Sequence, residues 1–357
     1  MPMLLAQNTH VVVAKTPGRH LAFPDVCQLT DGTICIVYRE GNSHFSSDGR
    51  IMITRCSGPL DTLEFEPPQV VCDTDMDDRD PSITQLADGS LLMSFVRYIK
   101  DGGVEGAVII KVPSDGTQPE IQEAFTHQSL LAIVRSYDGG RHWEAPEDIL
   151  IPHVPAGKEV LNRLATTDAV LELPSGDLLI PIHGVQGSYI LRSSDGGHSW
   201  PEFTPLAVAP APIFEEPTLA QLNDGRLLAF LRTDNQGKGY LYQTMSHDEG
   251  RTWSPPHQLS LWGYPAHLLP LSNGRLLATY GYRKNPFGIR YCVARRGPTW
   301  SLADEYGLRT DGYGDLGYPS SIELEDGAVF TVYYFNGRVN EPQNISPYIV
   351  GTRYTPK

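Results

Sequence analysis

Three observations predict an all-β chain closed into a six-bladed β-propeller of four-stranded antiparallel blades. One hairpin phrase occurs six times, a second turn phrase occurs three times behind it, and no long stretch carries helical periodicity. The hairpin phrase has Leu, any residue, then Asp, Asn or Ser, then Gly, between two apolar alternating runs. It closes Cys27–Gly32, Thr84–Gly89, Leu171–Gly176, Ala220–Gly225, Leu269–Gly274 and Ile322–Gly327. Asp-Gly and Asn-Gly between hydrophobic runs mark a tight hairpin, because the glycine accepts the positive φ that such turns require. The copies recur roughly every 50 residues with one longer gap, near the period of a four-stranded propeller blade carrying insertions.

Taken in order, each copy supplies the two inner strands of one blade. The second phrase, Ser-x-Asp-x-Gly-x-x-Trp, follows in blades 2, 3 and 4 at Ser136–Trp143, Ser193–Trp200 and Ser246–Trp253, with a worn copy at Arg295–Trp300 in blade 5. In this spacing the Asp caps backbone amides, the Gly takes a positive φ and the Trp folds back over the blade edge, a structural device. Blade 6 runs from Ile322 through Tyr348–Tyr354, and the early run Val11–Ala14 is expected to add the strand that closes the ring. The whole chain, 1–357, reads as one such domain.

Composition narrows the function. With 42 acidic against 28 basic residues the formal charge is -14, which opposes sequence-independent binding to nucleic acid or anionic lipid. No apolar run reaches membrane-helix length, and the first residues carry neither a basic region nor a long apolar segment, so a cytoplasmic protein is expected. Five cysteines without CxxC spacing suggest small core residues rather than a disulfide or zinc framework. The run Asp73–Asp80 lacks the spaced ligands of a calcium loop and reads as a solvated acidic loop. No cofactor and no metal site are expected.

Equivalent positions in a repeat must point to the same place. Counted from each turn glycine, the start of the inner strand reads Phe23, Asp80, Thr167, Glu216, Tyr264 and Tyr318, with proline after most of them. The end of the second strand reads Arg39, Arg97, His183, Arg232, Tyr282 beside Gly281, and Tyr334. Both sets fall at one mouth of the central channel. Arginines, acids and tyrosines gathered in one concavity suit an anionic sugar, so an acidic oligosaccharide is the expected partner.

The three Ser-x-Asp-x-Gly-x-x-Trp turns resemble the Asp boxes of the sialidase (neuraminidase) superfamily. That resemblance implies a six-bladed propeller in which three arginines hold the substrate carboxylate, a tyrosine assisted by a glutamate is the nucleophile, and an aspartate is the acid/base. Tyr318 matches the nucleophile, Glu216 its base and Arg232 one clamp arginine, while Arg290 matches another with Arg283 competing. A neutral phenol attacks a carboxylate-bearing centre without the repulsion a carboxylate nucleophile would meet.

Two positions depart from the pattern. The family's Phe-Arg-Ile-Pro phrase stands here as Leu21-Ala22-Phe23-Pro24, so Ala22 replaces an arginine for which Arg19, Arg39 or Arg79 could substitute, Arg79 being the best placed. Arg39 is also expected from the family, a few residues before the acid. Where the acid belongs stands His44, leaving His44, Asp48 or Asp80 for proton transfer. His183 and Tyr282 complete the candidate lining, His183 more readily as a structural residue. The leading expectation is a retaining exo-glycosidase for sialic acid or a related 2-keto-3-deoxy sugar. The alternatives are a glycosidase or lyase acting on uronic-acid glycans through His44, and a non-catalytic glycan-binding propeller.

Overall fold

The computed structural model describes residues 3–4, 9–57, 64–99, 108–111, 120–123, 128–149, 164–184, 187–209, 211–233, 238–295, 297–337 and 346–357. Within them the chain forms six antiparallel sheets around one axis, and Val108–Lys111 pairs with Glu120–Glu123 in a separate two-stranded sheet. Blade 1 is His20–Gln28, Ile34–Gly41, Arg50–Cys56 and Gln69–Cys72. Blade 2 is Asp77–Gln85, Leu91–Ile99, Gln128–Ser136 and Glu147–Asp148. Blade 3 is Leu171–Glu172, Leu178–Gly184, Gly187–Ser193 and Glu202–Val208. Blade 4 is Phe214–Gln221, Leu227–Thr233, Tyr240–Ser246 and His257–Trp262. Blade 5 is Ala266–Pro270, Leu276–Tyr282, Phe287–Ala294 and Glu305–Gly312, with Met3–Leu4 added in parallel to its edge. Blade 6 is Gly317–Glu323, Val329–Phe335 and Tyr348–Tyr354, and its outer strand is Thr9–Ala14 from the N-terminal end. That last pairing ties the two ends of the ring together, so no blade is left with its inner hairpin unsupported.

The turn glycines are needed for their backbone angle alone. Gly32, Gly89, Gly176, Gly225, Gly274 and Gly327 all lie at φ between +76° and +88°, and a Cβ at any of them would meet nothing. The Asp boxes behave as their spacing implies. Asp248 accepts from Thr252 N and Oγ1 at 2.8 and 2.6 Å, Gly250 N donates to Ser246 Oγ at 2.8 Å, and Trp253 Nε1 returns to Gly250 O at 3.1 Å. The boxes also latch neighbouring blades. Arg55 of blade 1 donates to Gly139 O and Gly140 O in the box of blade 2. Arg135 of blade 2 donates to Gly196 O in that of blade 3, and Arg192 of blade 3 to Glu249 O in that of blade 4.

Among the described residues the buried apolar side chains fall into six clusters, each shared by two adjacent blades. Ile36 and Tyr38 of blade 1 pack with Phe330 and Val332 of blade 6, for example, and Phe230 of blade 4 with Tyr280 of blade 5. No single centre holds the molecule; the six interfaces do, which leaves the axis free for polar groups.

Those groups form a ring. Two residues beyond each mouth position stand Asp25, Ser82, Thr218 and Ser320, and blades 3 and 5 contribute Asp168 and His267; five of the six line the channel cavity below the mouth. Asp25 accepts from Ile83 N at 2.7 Å and Ser320 Oγ at 2.5 Å, while Asp168 accepts from Leu219 N at 2.7 Å, so each carboxylate fastens the next blade's inner strand. Burial pushes the Asp25 carboxyl up to about 6 and that of Asp168 up to about 7, against the bonds each accepts. An acid whose folded pKa is raised keeps a proton that the unfolded chain has already lost. Its contribution to stability therefore falls as pH rises from about 4 to about 7, by at most about 1.4 kcal/mol per unit. Asp168→Asn is expected to remove one such slope, so thermal melts from pH 5 to 8 should show the variant gaining on the parent; parallel curves would refute it.

Candidate functional site

Four of the six inner strands carry an unusual backbone within their first four residues. Phe23, Asp80, Glu216 and Tyr318 lie at φ of 56°, 52°, 42° and 49°, each is followed by proline, and the register slips at each place. Non-glycine residues at positive φ cost energy and persist where the surrounding structure holds them, commonly at functional sites. The proline contributes no amide to the ladder, which suits a bulge. The effect is to tip these side chains into the mouth.

There the Tyr318 hydroxyl donates to Glu216 Oε1 at 2.5 Å, and Glu216 Oε2 lies 2.6 Å from Arg232 Nη1. Burial alone would raise the Glu216 carboxyl, but Arg232 and His183 hold it below its usual range. Burial and the Glu216 charge push the Tyr318 phenol well above 10, so the pair rests as neutral phenol and carboxylate. Arg283 donates from Nε to Leu316 O and from Nη2 to Tyr334 Oη, both at 2.9 Å, and its guanidinium lies 6.0 Å from the Tyr318 ring. Arg232 and Arg283 keep 22% and 23% of their side chains exposed, enough to meet a ligand.

On the other side of the mouth His44 Nδ1 lies 2.8 Å from Asp315 Oδ2. Asp315 Oδ1 accepts from Tyr334 Oη at 2.6 Å and sits 2.9 Å from Arg283. Burial would raise Asp315, yet its bond with His44 and the charge of Arg283 hold it well below the usual carboxylate range. Phe23 stands between the halves, its ring 4.9 Å from Tyr318, 5.3 Å from His44 and 5.6 Å from Tyr334. Asp80 receives Arg79 Nε at 2.9 Å; burial raises its carboxyl, Arg79 lowers it, and the charges of Glu216 and His44 act on it across the mouth. His183 is half-buried, its imidazole pushed down to about 4 by burial, with Glu216 pulling up and Arg232 down.

Several residues take other places than their sequence suggests. Arg39 is fully buried; it bonds Asp77 at 2.7 Å, Ser43 O at 2.9 Å and Ser46 Oγ at 3.1 Å, so it pins the loop under His44 instead of facing a substrate. Asp48 is tied to Arg19 at 2.5 Å and to the Asn42 amide at 3.1 Å. What burial it has acts upward, but bonds from Ser46, Asn42 and Arg19 hold it at about 2, which leaves no proton to donate near neutrality. Arg290 is buried against Glu305 at 2.9 Å and lies over the Tyr282 ring at 3.2 Å, so the place beside Tyr318 belongs to Arg283. Tyr282 packs on Trp262 in the wall between blades 4 and 5. The acidic run is a solvated loop only in its first half: Asp73 and Asp75 are exposed, whereas Asp77, Asp78 and Asp80 are buried in the inner strand of blade 2. Of the arginines offered in place of Ala22, Arg79 is the one at the mouth, 4.7 Å from the Phe23 ring, whereas Arg19 is held at the rim by Asp48 and Asn42.

Asp315 and His20 carry no repeat signal. Asp315 sits in the connection before blade 6, outside the recurring hairpin, and His20 opens the inner strand of blade 1, its ring 5.4 Å from His44. The clue for Asp315 was an acid three residues before Tyr318. Donor atoms of His20, His44 and Asp315 lie within 4.8 Å of one another, the one metal-sized group among the described residues. Arg283 on the same carboxylate already supplies the positive charge a cation would bring.

The family described as BNR repeat-like domain matches residues 116–331, and no curated protein matches the chain. Among solved structures, a protein of unknown function from Dyadobacter fermentans DSM 18053 is similar at TM-score 0.81 and 24% identity, covering 99% of this chain and 100% of that one. A mutant of the NanB sialidase from Streptococcus pneumoniae aligns at TM-score 0.69 and 13% identity over 94% of this chain and 68% of that one. An alpha-L-arabinanase from Penicillium chrysogenum aligns at TM-score 0.60 and 13% identity over 97% and 98%. At these identities the likenesses establish the fold, a propeller that sialidases and an arabinanase share. With the family match spanning more than half its length, the chain belongs to the BNR repeat-like domain family, in the form of a sialidase-like six-bladed propeller.

Proposed function

We propose that this protein is a retaining exo-glycosidase that removes a terminal 2-keto-3-deoxy acid sugar, such as sialic acid, through a tyrosyl intermediate. The observation that carries the reading is the 2.5 Å contact from the Tyr318 hydroxyl to a Glu216 carboxylate that Arg232 keeps ionised. Glu216 accepts the phenolic proton as Tyr318 Oη bonds to the anomeric carbon. The glycosidic bond breaks, and its oxygen leaves with the proton that His44 delivers. Water then gives a proton to His44 and attacks the same carbon, and Tyr318 departs and recovers its proton from Glu216. Two inversions give net retention. Arg232 and Arg283 pair with the substrate carboxylate, a two-armed clamp where the resemblance implies three. The side chains of His44 and Asp315 are 37% and 34% exposed, so this pair is open to a leaving group.

Oxygen-18 water tests the chemistry directly. Incubation with sialyl-lactose should release free sialic acid carrying one heavy oxygen, the retained anomer appearing first by NMR. An unsaturated product, or none from any acidic glycoside, would overturn the reading and favour a lyase or a binding protein respectively.

Asp315 accepts the Nδ1 proton of the His44 imidazolium, so the proton given to the leaving oxygen and regained from water is the one on Nε2. Asp315→Asn is expected to lower kcat about 100-fold on a sugar leaving group and less than tenfold on a nitrophenyl leaving group, which needs little protonation. Equal losses on both would assign Asp315 a purely structural role.

A further inference from the structure

Beside His44, on its outward side, the mouth carries a large exposed apolar side chain. Phe45 is 57% exposed, and its ring lies 4.8 Å from that of His44 and 6.3 Å edge-on to Tyr98. Its exposure is built into the loop. Arg39 holds Ser43 O and Ser46 Oγ from below, Asp77 receives Ser46 N at 3.2 Å, and Ser43 Oγ donates to Phe45 O at 2.7 Å. One side of the Phe45 ring is floored by the Arg79 guanidinium at 4.3 Å, which also lies 5.1 Å from Tyr98. Arg79 is itself fixed by Asp80 at 2.9 Å and Asp77 at 3.8 Å. A rigid aromatic face kept in water at the edge of a polar concavity is a surface for stacking.

We infer that Phe45, floored by Arg79 and flanked by Tyr98, is the platform of a leaving-group subsite that takes a neutral hexopyranoside. The inference rests on the glycosidase reading, because it places the leaving oxygen at His44 and hence the departing sugar over the adjoining residue. The preference for a neutral sugar follows from charge. Asp77 and Asp80 balance Arg39 and Arg79 here, so no positive charge is left over for a second acid, while the carboxylate-binding arginines Arg232 and Arg283 stand by Tyr318. A pyranose offers an apolar C–H face that an aromatic ring can cover without desolvating its hydroxyls.

The test compares one acidic sugar α-linked to lactose and to methanol, in the parent, Phe45→Ala and Phe45→Trp. The parent should favour the lactosyl glycoside about tenfold in kcat/KM, Phe45→Ala should bring that ratio close to one, and Phe45→Trp should restore it. A ratio of one in the parent, or one unchanged in Phe45→Ala, overturns the platform and leaves the glycosidase standing. If the parent turns over neither glycoside, the glycosidase reading fails, and saturation-transfer NMR with free lactose decides the platform separately. Transfer to lactose that Phe45→Ala abolishes supports it; no transfer, or equal transfer in both proteins, overturns it.

Discussion

Tyr318→Phe is expected to reduce turnover of an acidic glycoside at least 1,000-fold while leaving the protein folded. The substitution removes one oxygen and keeps the ring, which packs against Phe23 at 4.9 Å and Tyr334 at 5.7 Å. Glu216 loses a donor but keeps Arg232 at 2.6 Å, so its charge stays compensated. The stability cost should be that of one hydrogen bond to a charged group, about 1.5–3 kcal/mol. Without the phenol there is no atom to form the covalent intermediate, and Glu216, set behind it, does not stand in its place. Initial rates of sugar release beside a thermal melt make the comparison. Activity within tenfold of the parent, in a protein of near-parental stability, would sink the tyrosyl mechanism.

Arg232→Ala is expected to cost both activity and fold stability. The substitution strips the buried Glu216 carboxylate of its compensating charge, and removing one partner of a buried pair costs about 3–5 kcal/mol, the lower end applying to an arginine that is a fifth exposed. The pH dependence follows. In the parent, burial pulls Glu216 up and Arg232 with His183 pulls it down to a net lowered pKa, so the pair contributes stability above the carboxylate's unfolded pKa of about 4.3. In the variant burial acts nearly alone, the folded pKa rises, and the loss should be large at pH 7.5 and small near pH 4. Urea titrations at both values read this out, and Glu216→Gln in the same background should recover much of the loss. An equal loss at both pH values would mean that the arginine acts through packing on Tyr264, 4.4 Å away, and not through charge.

The scaffold was legible because repetition multiplies a weak signal. A single Leu-x-Asp-Gly turn says little, but six at blade spacing with three Asp boxes leave one closed arrangement, and Val11–Ala14 falls into blade 6 as the spacing suggests. The same frame placed Glu216, Arg232, Asp80 and Tyr318 around one mouth, since equivalent positions in closed blades converge. It failed where the site is built from connections between blades. Asp77 and Asp80, in the second half of the Asp73–Asp80 run, look solvated in one dimension and are buried because Arg39 of blade 1 and Arg79 of the run itself pair with them.

What the sequence determined by itself is therefore the blade: alternating strands, a glycine at positive φ in every turn, an Asp capping each box, and polar residues at the strand ends that face the axis. Only the tertiary structure decided which of several arginines and acids stands at the mouth. Arg283 stands at Tyr318 and Arg290 against Glu305, Asp48 is spent on Arg19, and Asp315 is brought to His44 across a separation of 271 residues. Local periodicity sets the direction of a side chain within its own strand. The partner that neutralises, buries or frees it arrives from another blade, and that distance is set by closure of the ring.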